Sequence, residues 1–189
     1  MLRRECLEIL AAKVTDQVVV TNLGYAAAWW LKLKPRDANF YLHDSMGMAS
    51  SVGLGMALAL PEKKVIVLDG DGGLLLNLGI LVTIAEKDPP NLIHLLFDNR
   101  CYESSGGQCL VNAERTDFVA LARGAGIAQA NEITTTAEFS RAIEDALNNP
   151  GPVFLSLRIQ PEGTPMPDFP LTPAEIKYQF RRFIRTLGR

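Results

Sequence analysis

The 189-residue sequence is poor in several features that would assign a function quickly. Cysteine is scarce: Cys6, Cys101 and Cys109 are odd in number and form neither a CxxC pair nor the spacing of a disulfide framework. Histidine is scarcer still, with His43 and His94 alone, so a zinc site has too few ligands. Charge of one sign is also missing. Lys+Arg 19 against Asp+Glu 21 leaves -2, which gives no electrostatic reason for a nucleic-acid or anionic-membrane partner. No stretch approaches the roughly 18 uninterrupted apolar residues of a membrane helix. The opening MLRRECLEILAAKV mixes charge with apolar residues at helical spacing and lacks the apolar centre and cleavage site of a secretory signal. The expectation is a cytoplasmic chain whose partners are small molecules or proteins, with no nucleic acid and no membrane.

What is present suits one ordinary domain, since 48% apolar residues can fill a core without disulfides. Short apolar runs at Val18 to Thr21, Val65 to Leu68, Leu92 to Phe97 and Val153 to Ile159 read as parallel strands buried on both faces. Helical spacing lies between them, at Leu2 to Lys13, Gly24 to Leu33, Met46 to Leu60, Gly73 to Lys87, Asp117 to Arg123 and Ala137 to Asn148. This alternation predicts an α/β fold, a doubly wound parallel sheet with helices on both faces, over residues 1–160. Residues 161–189 read as an arm and a basic helix: Gln160 to Pro173 carries five prolines, and a helix follows to about Leu187. Lys177, Arg181, Arg182 and Arg185 on that helix suit a solvated face or a subunit contact.

The chemistry concentrates where V65-I-V-L-D-G-D-G-G-L-L-L-N runs from a strand through a glycine-rich turn into a helix, at the carboxyl end of a sheet strand. Gly70, Gly72 and Gly73 would allow positive φ and bring amides close to an anion. No GxxxxGK[ST] or GxGxxG occurs. Instead the turn holds Asp71, and a carboxylate facing a phosphate is reasonable only with a divalent cation between them. After the next strand, D98-N-R-C-Y-E-S-S-G-G-Q places Asn99 at a neighbouring carboxyl end, a second hard oxygen ligand suited to Mg²⁺. Taken singly, Asp71 also suits an ordinary turn former.

A GDG triplet with 26 residues between Gly72 and Asn99, set in strand, turn, helix and strand, resembles the cofactor motif of thiamine diphosphate enzymes. The likeness runs from about Val18 to Ile159 and includes S45-M-G-M-A-S-S-V-G-L-G-M-A-L-A and D117-F-V-A-L-A-R-G-A-G. In pattern it is nearest to the sulfopyruvate decarboxylase β subunit and the carboxyl-terminal half of phosphonopyruvate decarboxylase. The resemblance implies thiamine diphosphate and Mg²⁺ as cofactors, with Asp71, the Asn99 side chain and the Cys101 carbonyl as metal ligands. It further implies that the turn of Gly70, Gly72 and Gly73 meets the diphosphate, and that Asp44, Ser45 and Met46 belong to the loop beneath the bent cofactor. The Asp44 carbonyl would take the 4′-amino group, and Met46 would be the apolar wedge; a methionine is equally an ordinary core residue. Tyr102, Glu103, Ser104 and Ser105 would line the cleft. Asp44 stands where the family usually has glycine, and Gly73 where it has serine or alanine.

His43 and Glu103 are the candidate catalytic groups of this chain, His43 to orient a substrate carboxylate or move a proton. His94, inside an apolar strand, reads as a satisfied core residue, and Cys101 and Cys109 as thiols without a base. The resemblance places the main catalytic glutamate on a pyrimidine-binding domain, for which the 189 residues leave no room. The expected assembly is therefore a hetero-oligomer with a pyrimidine-binding, α-type subunit and at least two copies of each chain, with Trp29 and Trp30 as candidate interface anchors. Its substrate would be a small 2-oxo acid of the sulfopyruvate or phosphonopyruvate kind. A carboligase or another 2-oxo acid decarboxylase subunit, or a non-catalytic cofactor-binding module, are the alternatives.

Overall fold

The computed structural model describes residues 1–188, so Arg189 at the end of the tail lies outside the described residues. In chain order the elements are α1 (Arg3–Lys13), β1 (Val18–Thr21), α2 (Tyr25–Leu33), β2 (Asn39–Tyr41), α3 (Ala49–Ala59), β3 (Val65–Gly70), α4 (Asp71–Leu76), α5 (Ile80–Lys87) and β4 (Leu92–Asp98). A small hairpin, β5 (Cys101–Tyr102) and β6 (Gln108–Cys109), precedes α6 (Phe118–Ala125), β7 (Gln129–Ile133), α7 (Thr136–Asn148), β8 (Val153–Arg158) and α8 (Pro173–Thr186).

Six strands form one sheet in the order β2-β1-β3-β4-β8-β7, and every pairing in it is parallel. The doubly wound α/β expectation is met. Successive side chains on each strand face opposite sides, and both sides are apolar. Val19, Ile66, Leu68, Ile93 and Leu95 pack with α1, α2 and α7 through Leu7, Leu10, Trp30, Phe139 and Ile143. Val20, Val65, Val67 and Leu96 pack with α3, α5 and α6 through Leu54, Ala57, Leu81, Ile84 and Phe118. Gly53 brings α3 against the sheet, because a Cβ there would overlap Val67 Cγ2.

The strands absent from the sequence reading are the short or polar ones at the edges. β2 has three residues, and β7 reads QANEI with Gln129, Asn131 and Glu132 exposed, so neither produces an apolar run. The single helix expected from Gly73 to Lys87 is two, because α4 starts at Asp71 and the chain turns at Asn77. The Asn77 Nδ2 donates to the Gly47 carbonyl at 3.2 Å and to Ser51 Oγ at 2.9 Å, bonds that compete with helix continuation and tie this turn to the loop before α3. That loop extends the non-helical stretch to Met48, so α3 begins later than Met46.

The tail packs on the same body. Thr172 caps α8 with a reciprocal Glu175 bond, Ile176 is buried, and Phe180 meets the Phe40 ring edge-on at 5.3 Å, so α8 covers the edge strand β2. Arg182 forms a forked pair with Asp37. Trp30 is core, whereas Trp29 is partly buried beside Arg4 and Lys32. Among the described residues no helix is long and apolar enough to cross a membrane.

Candidate functional site

The parallel register sets Leu68 beside Thr21 and Gly70 beside Phe97, so β1, β3 and β4 end close to one level. Their following residues converge on a cavity of about 160 Å³ lined by Asn22 after β1, Asp69 to Gly73 around the end of β3, and Asn99 and Cys101 to Ser105 after β4, with Arg3, Tyr25 and Met46 closing it. The carboxyl end of a parallel sheet is where such folds bind ligands, because loops there diverge and leave a crevice.

Asp71 sits at the centre and is 3% exposed. Its Oδ1 accepts from Gly72 N at 2.7 Å and its Oδ2 from Arg100 N at 2.6 Å, which fixes the carboxylate and leaves each oxygen a further lone pair. Burial pushes its pKa up to about 7; the two amide bonds oppose that rise and the nearby Asp98 carboxylate adds to it. Asp98 is raised too, chiefly by burial, against the pull of Arg158 and Arg100, which stand 3.1 and 3.0 Å away. A buried acid held in geometry but short of positive charge fits a divalent cation. Among the described residues no three His, Cys, Asp or Glu side chains cluster as a metal cage. Asp71 and Asn99 bring a carboxylate and a side-chain amide to the same cavity, with Cys101 beside them, and such oxygen donors suit a hard divalent cation.

The glycines of the turn act through space rather than through positive φ, contrary to the expectation: Gly70, Gly72 and Gly73 lie outside the left-handed region. A Cβ on Gly72 would overlap the Tyr102 ring, and one on Gly73 would lie 2.7 Å from Asn22 Nδ2 and 2.9 Å from Asp69 Oδ1. Asn22 thus fills the space that a serine or alanine would need at position 73.

Asn99 follows β4 and is buried beside Asp71 in the cavity lining. Its Oδ1 accepts from Cys101 N at 3.1 Å and its Nδ2 donates to Glu103 Oε2 at 2.9 Å. Glu103 is correspondingly occupied: Oε2 also takes Arg3 Nη2 at 2.9 Å, and Oε1 takes the Glu162 backbone N at 2.5 Å. Its carboxylate therefore faces protein donors on both oxygens. Cys101 and Cys109 face each other across the β5–β6 hairpin as free thiols, and burial raises the Cys101 pKa, which does not favour a nucleophile.

The loop from His43 to Met48 approaches from the other side. Met46 lines the cavity and is 39% exposed, so it is no core methionine. His43, Asp44 and Ser45 lie outside the cavity lining; His43 Nδ1 stands 2.7 Å from Asp44 Oδ2, and Ser45 Oγ donates to the His43 carbonyl. Asp44 has φ 57 and Gly47 φ 84, a left-handed course that glycine takes freely and aspartate tolerates.

His94 is in the core, against the Phe154 ring at 5.0 Å, but it is not satisfied as expected. Its Nε2 is 3.3 Å from Asp69 Oδ2, and neither ring nitrogen has a hydrogen-bond partner. Seven lining residues fall outside the sequence-based set: Arg3, Asn22, Leu23, Tyr25, Ala26, Asp69 and Phe97. Asn22 carried a signal, being the residue that ends the first apolar run; Arg3 and Tyr25 did not, because each lies in a helix remote from the motifs.

A second groove of about 850 Å³ shares Tyr102 with the first and is lined by Leu75, Leu76, Leu78, Val111 and Leu121 among others. Leu76 and Val111 are 61% and 80% exposed, an apolar surface contiguous with the mouth of the site.

Residues 20–157 match the family described as "Thiamine pyrophosphate enzyme, C-terminal TPP binding domain". The chain is 40% identical over 186 residues to the sulfopyruvate decarboxylase subunit beta of Methanothermobacter thermautotrophicus, covering 98% of this chain and 97% of that one. It is 35% identical to the subunit of the same name from Methanococcus maripaludis, over 98% of both. The phosphonopyruvate decarboxylase of Streptomyces viridochromogenes is 37% identical over 94% of this chain but only 45% of its own length.

Proposed function

The chain belongs to the thiamine pyrophosphate enzymes, as their C-terminal TPP-binding domain, and on that premise we propose that Asp71, the Asn99 amide oxygen and the Cys101 carbonyl hold Mg²⁺ against the cofactor's diphosphate. The protein is the cofactor-domain subunit of a 2-oxo acid decarboxylase. The single observation that carries the metal assignment is the buried Asp71 carboxylate, fixed by two amides, raised to about 7 and placed in one cavity with Asn99.

When bound, thiamine diphosphate supplies an electron sink that makes loss of CO₂ from a 2-oxo acid possible. The chain's own residues bind and orient. Asp71 would hold the cation, the backbone of the turn at Gly70, Gly72 and Gly73 would meet the diphosphate, and Tyr102 packs against Gly72 in the cavity lining. Met46, partly exposed at the cavity, would pack against the cofactor, and the Asp44 carbonyl and Ser45 of the same loop would bind its pyrimidine end. His43, outside the cavity lining with its Nδ1 2.7 Å from Asp44 Oδ2, would orient a substrate carboxylate or move a proton from the loop that carries Met46.

The substrate is a small 2-oxo acid with a second anionic group, as the names of the relatives suggest. The acid that activates the aminopyrimidine belongs to a pyrimidine-binding partner chain, in a hetero-oligomer with at least two copies of each. Two observations support this: relatives of full-length match are named as beta subunits, and an exposed apolar groove adjoins the site. The test is CO₂ release from sulfopyruvate, phosphonopyruvate and pyruvate by the purified chain, saturated with thiamine diphosphate and Mg²⁺, before and after adding a co-expressed pyrimidine-binding subunit. Turnover is expected only after the addition. Turnover by the single chain, persisting after removal of any copurifying subunit, contradicts the two-chain assembly.

A further inference from the structure

We propose that Glu103, held by Arg3, is a positioning residue that locks the Asn99 side-chain amide so that its oxygen is the atom left for a cation. The inference rests on reading Asn99 as a metal ligand. An asparagine amide coordinates a hard cation through oxygen alone, yet its two ends have nearly the same shape, so something must forbid the flipped orientation. Here the environment is asymmetric at both ends. Asn99 Nδ2 meets Glu103 Oε2 at 2.9 Å, and Oδ1 meets the Cys101 amide at 3.1 Å. Flipping would set oxygen against a carboxylate and NH₂ against an N–H, two repulsive contacts in place of two bonds.

Glu103 suits this task because both of its oxygens are turned to donors. It is held in place by Arg3 Nη2 at 2.9 Å and by the Glu162 amide at 2.5 Å, with the Arg3 and Glu103 side chains 7% and 10% exposed. Burial limits screening and strengthens each charge-assisted bond. Arg3 lies over the Tyr25 and Phe97 rings, 5.3 and 5.8 Å from their centroids, so α1 and the start of the proline-rich arm together fix the metal loop from outside it. The same saturation of both oxygens is what separates Glu103 from a proton-transferring acid.

The lock makes a prediction about a pair that a structural ion pair does not make. Asn99→Asp should place a second carboxylate against Glu103 and lower Tm of the cofactor-free chain by roughly 4–8 °C. Glu103→Gln alone removes the asymmetry, since a glutamine amide can either accept from or donate to Asn99, and should weaken Mg²⁺-dependent thiamine diphosphate binding about tenfold or more. In the double variant the amide introduced at position 103 donates to the carboxylate introduced at position 99, so both Tm and metal-dependent binding should return to within a few degrees or a few-fold of wild type. The measurements are thermal melts of the four cofactor-free full-length chains and calorimetric titrations with thiamine diphosphate at saturating Mg²⁺. Losses that simply add overturn the lock. Coupled melting with unchanged binding by Glu103→Gln also overturns it, while sparing the Asp71 site; absence of Mg²⁺-dependent binding by wild type overturns the site assignment and the lock with it.

Discussion

The two sides of the cavity are built differently. On the side of β3 and β4, Asp71, Asn99 and Glu103 are held by hydrogen bonds to backbone and buried side chains, and the strands beneath them are buried on both faces. On the other side, the His43 to Met48 loop leaves His43, Asp44, Met46 and Met48 exposed, and Asn77 to the Gly47 carbonyl is its side-chain tether to the next layer. One side is preorganised by the fold, at the expense of a buried negative charge at Asp71 that the protein alone does not balance. The other side has its backbone course set by two left-handed residues but leaves most of its side chains exposed. The contrast is what a site completed by a second chain would leave in one half.

The largest effect that sharpens this contrast lies in the charge balance. A carboxyl whose folded pKa is raised from 3.8 to about 7 binds its proton more tightly when folded, so it costs stability as pH rises through that window and the full cost is present above it. At about 1.4 kcal/mol per unit, the metal-free chain should lose about 2–4 kcal/mol from this group between pH 4 and pH 8. Chemical denaturation in EDTA across that range, compared with Asp71→Asn, reads the contribution directly. The variant should show the flatter pH profile; parallel profiles would mean that Asp71 is not a buried, uncompensated charge.

A smaller effect should mark the other side. Met46→Ala removes a side chain that is 39% exposed, so it should cost less than about 1 kcal/mol of stability rather than the 2–5 kcal/mol of a fully buried methionine. Turnover of the reconstituted enzyme should nevertheless fall about tenfold or more, because the residue acts on the cofactor's shape. A large fall in Tm with ordinary turnover would return Met46 to a packing role.

How much of this was legible in the sequence follows the same division. The central strands were, because burial on both faces writes an uninterrupted apolar run, and the spacing from Asp71 to Asn99 was, because both follow such runs. The edges were not: β2 is too short, and β7 carries its polar residues outward. The split between α4 and α5 was hidden in a continuous apolar pattern, since its cause is a long-range bond from Asn77 to Gly47. Arg3 was hidden for the same kind of reason, since its partner Glu103 is a hundred positions away. The glycines of the turn were recognised for the wrong property. They are needed for the room they leave Tyr102, Asn22 and Asp69, which only tertiary contacts reveal.

The central claim is that the preorganised side is a cation-bridged diphosphate site, and calorimetric titration of the full chain with thiamine diphosphate tests it most directly. With Mg²⁺ present, wild type should bind; EDTA or Asp71→Ala should abolish that binding, because either removes one half of the bridge. Binding of equal strength by the alanine variant in EDTA would contradict the account.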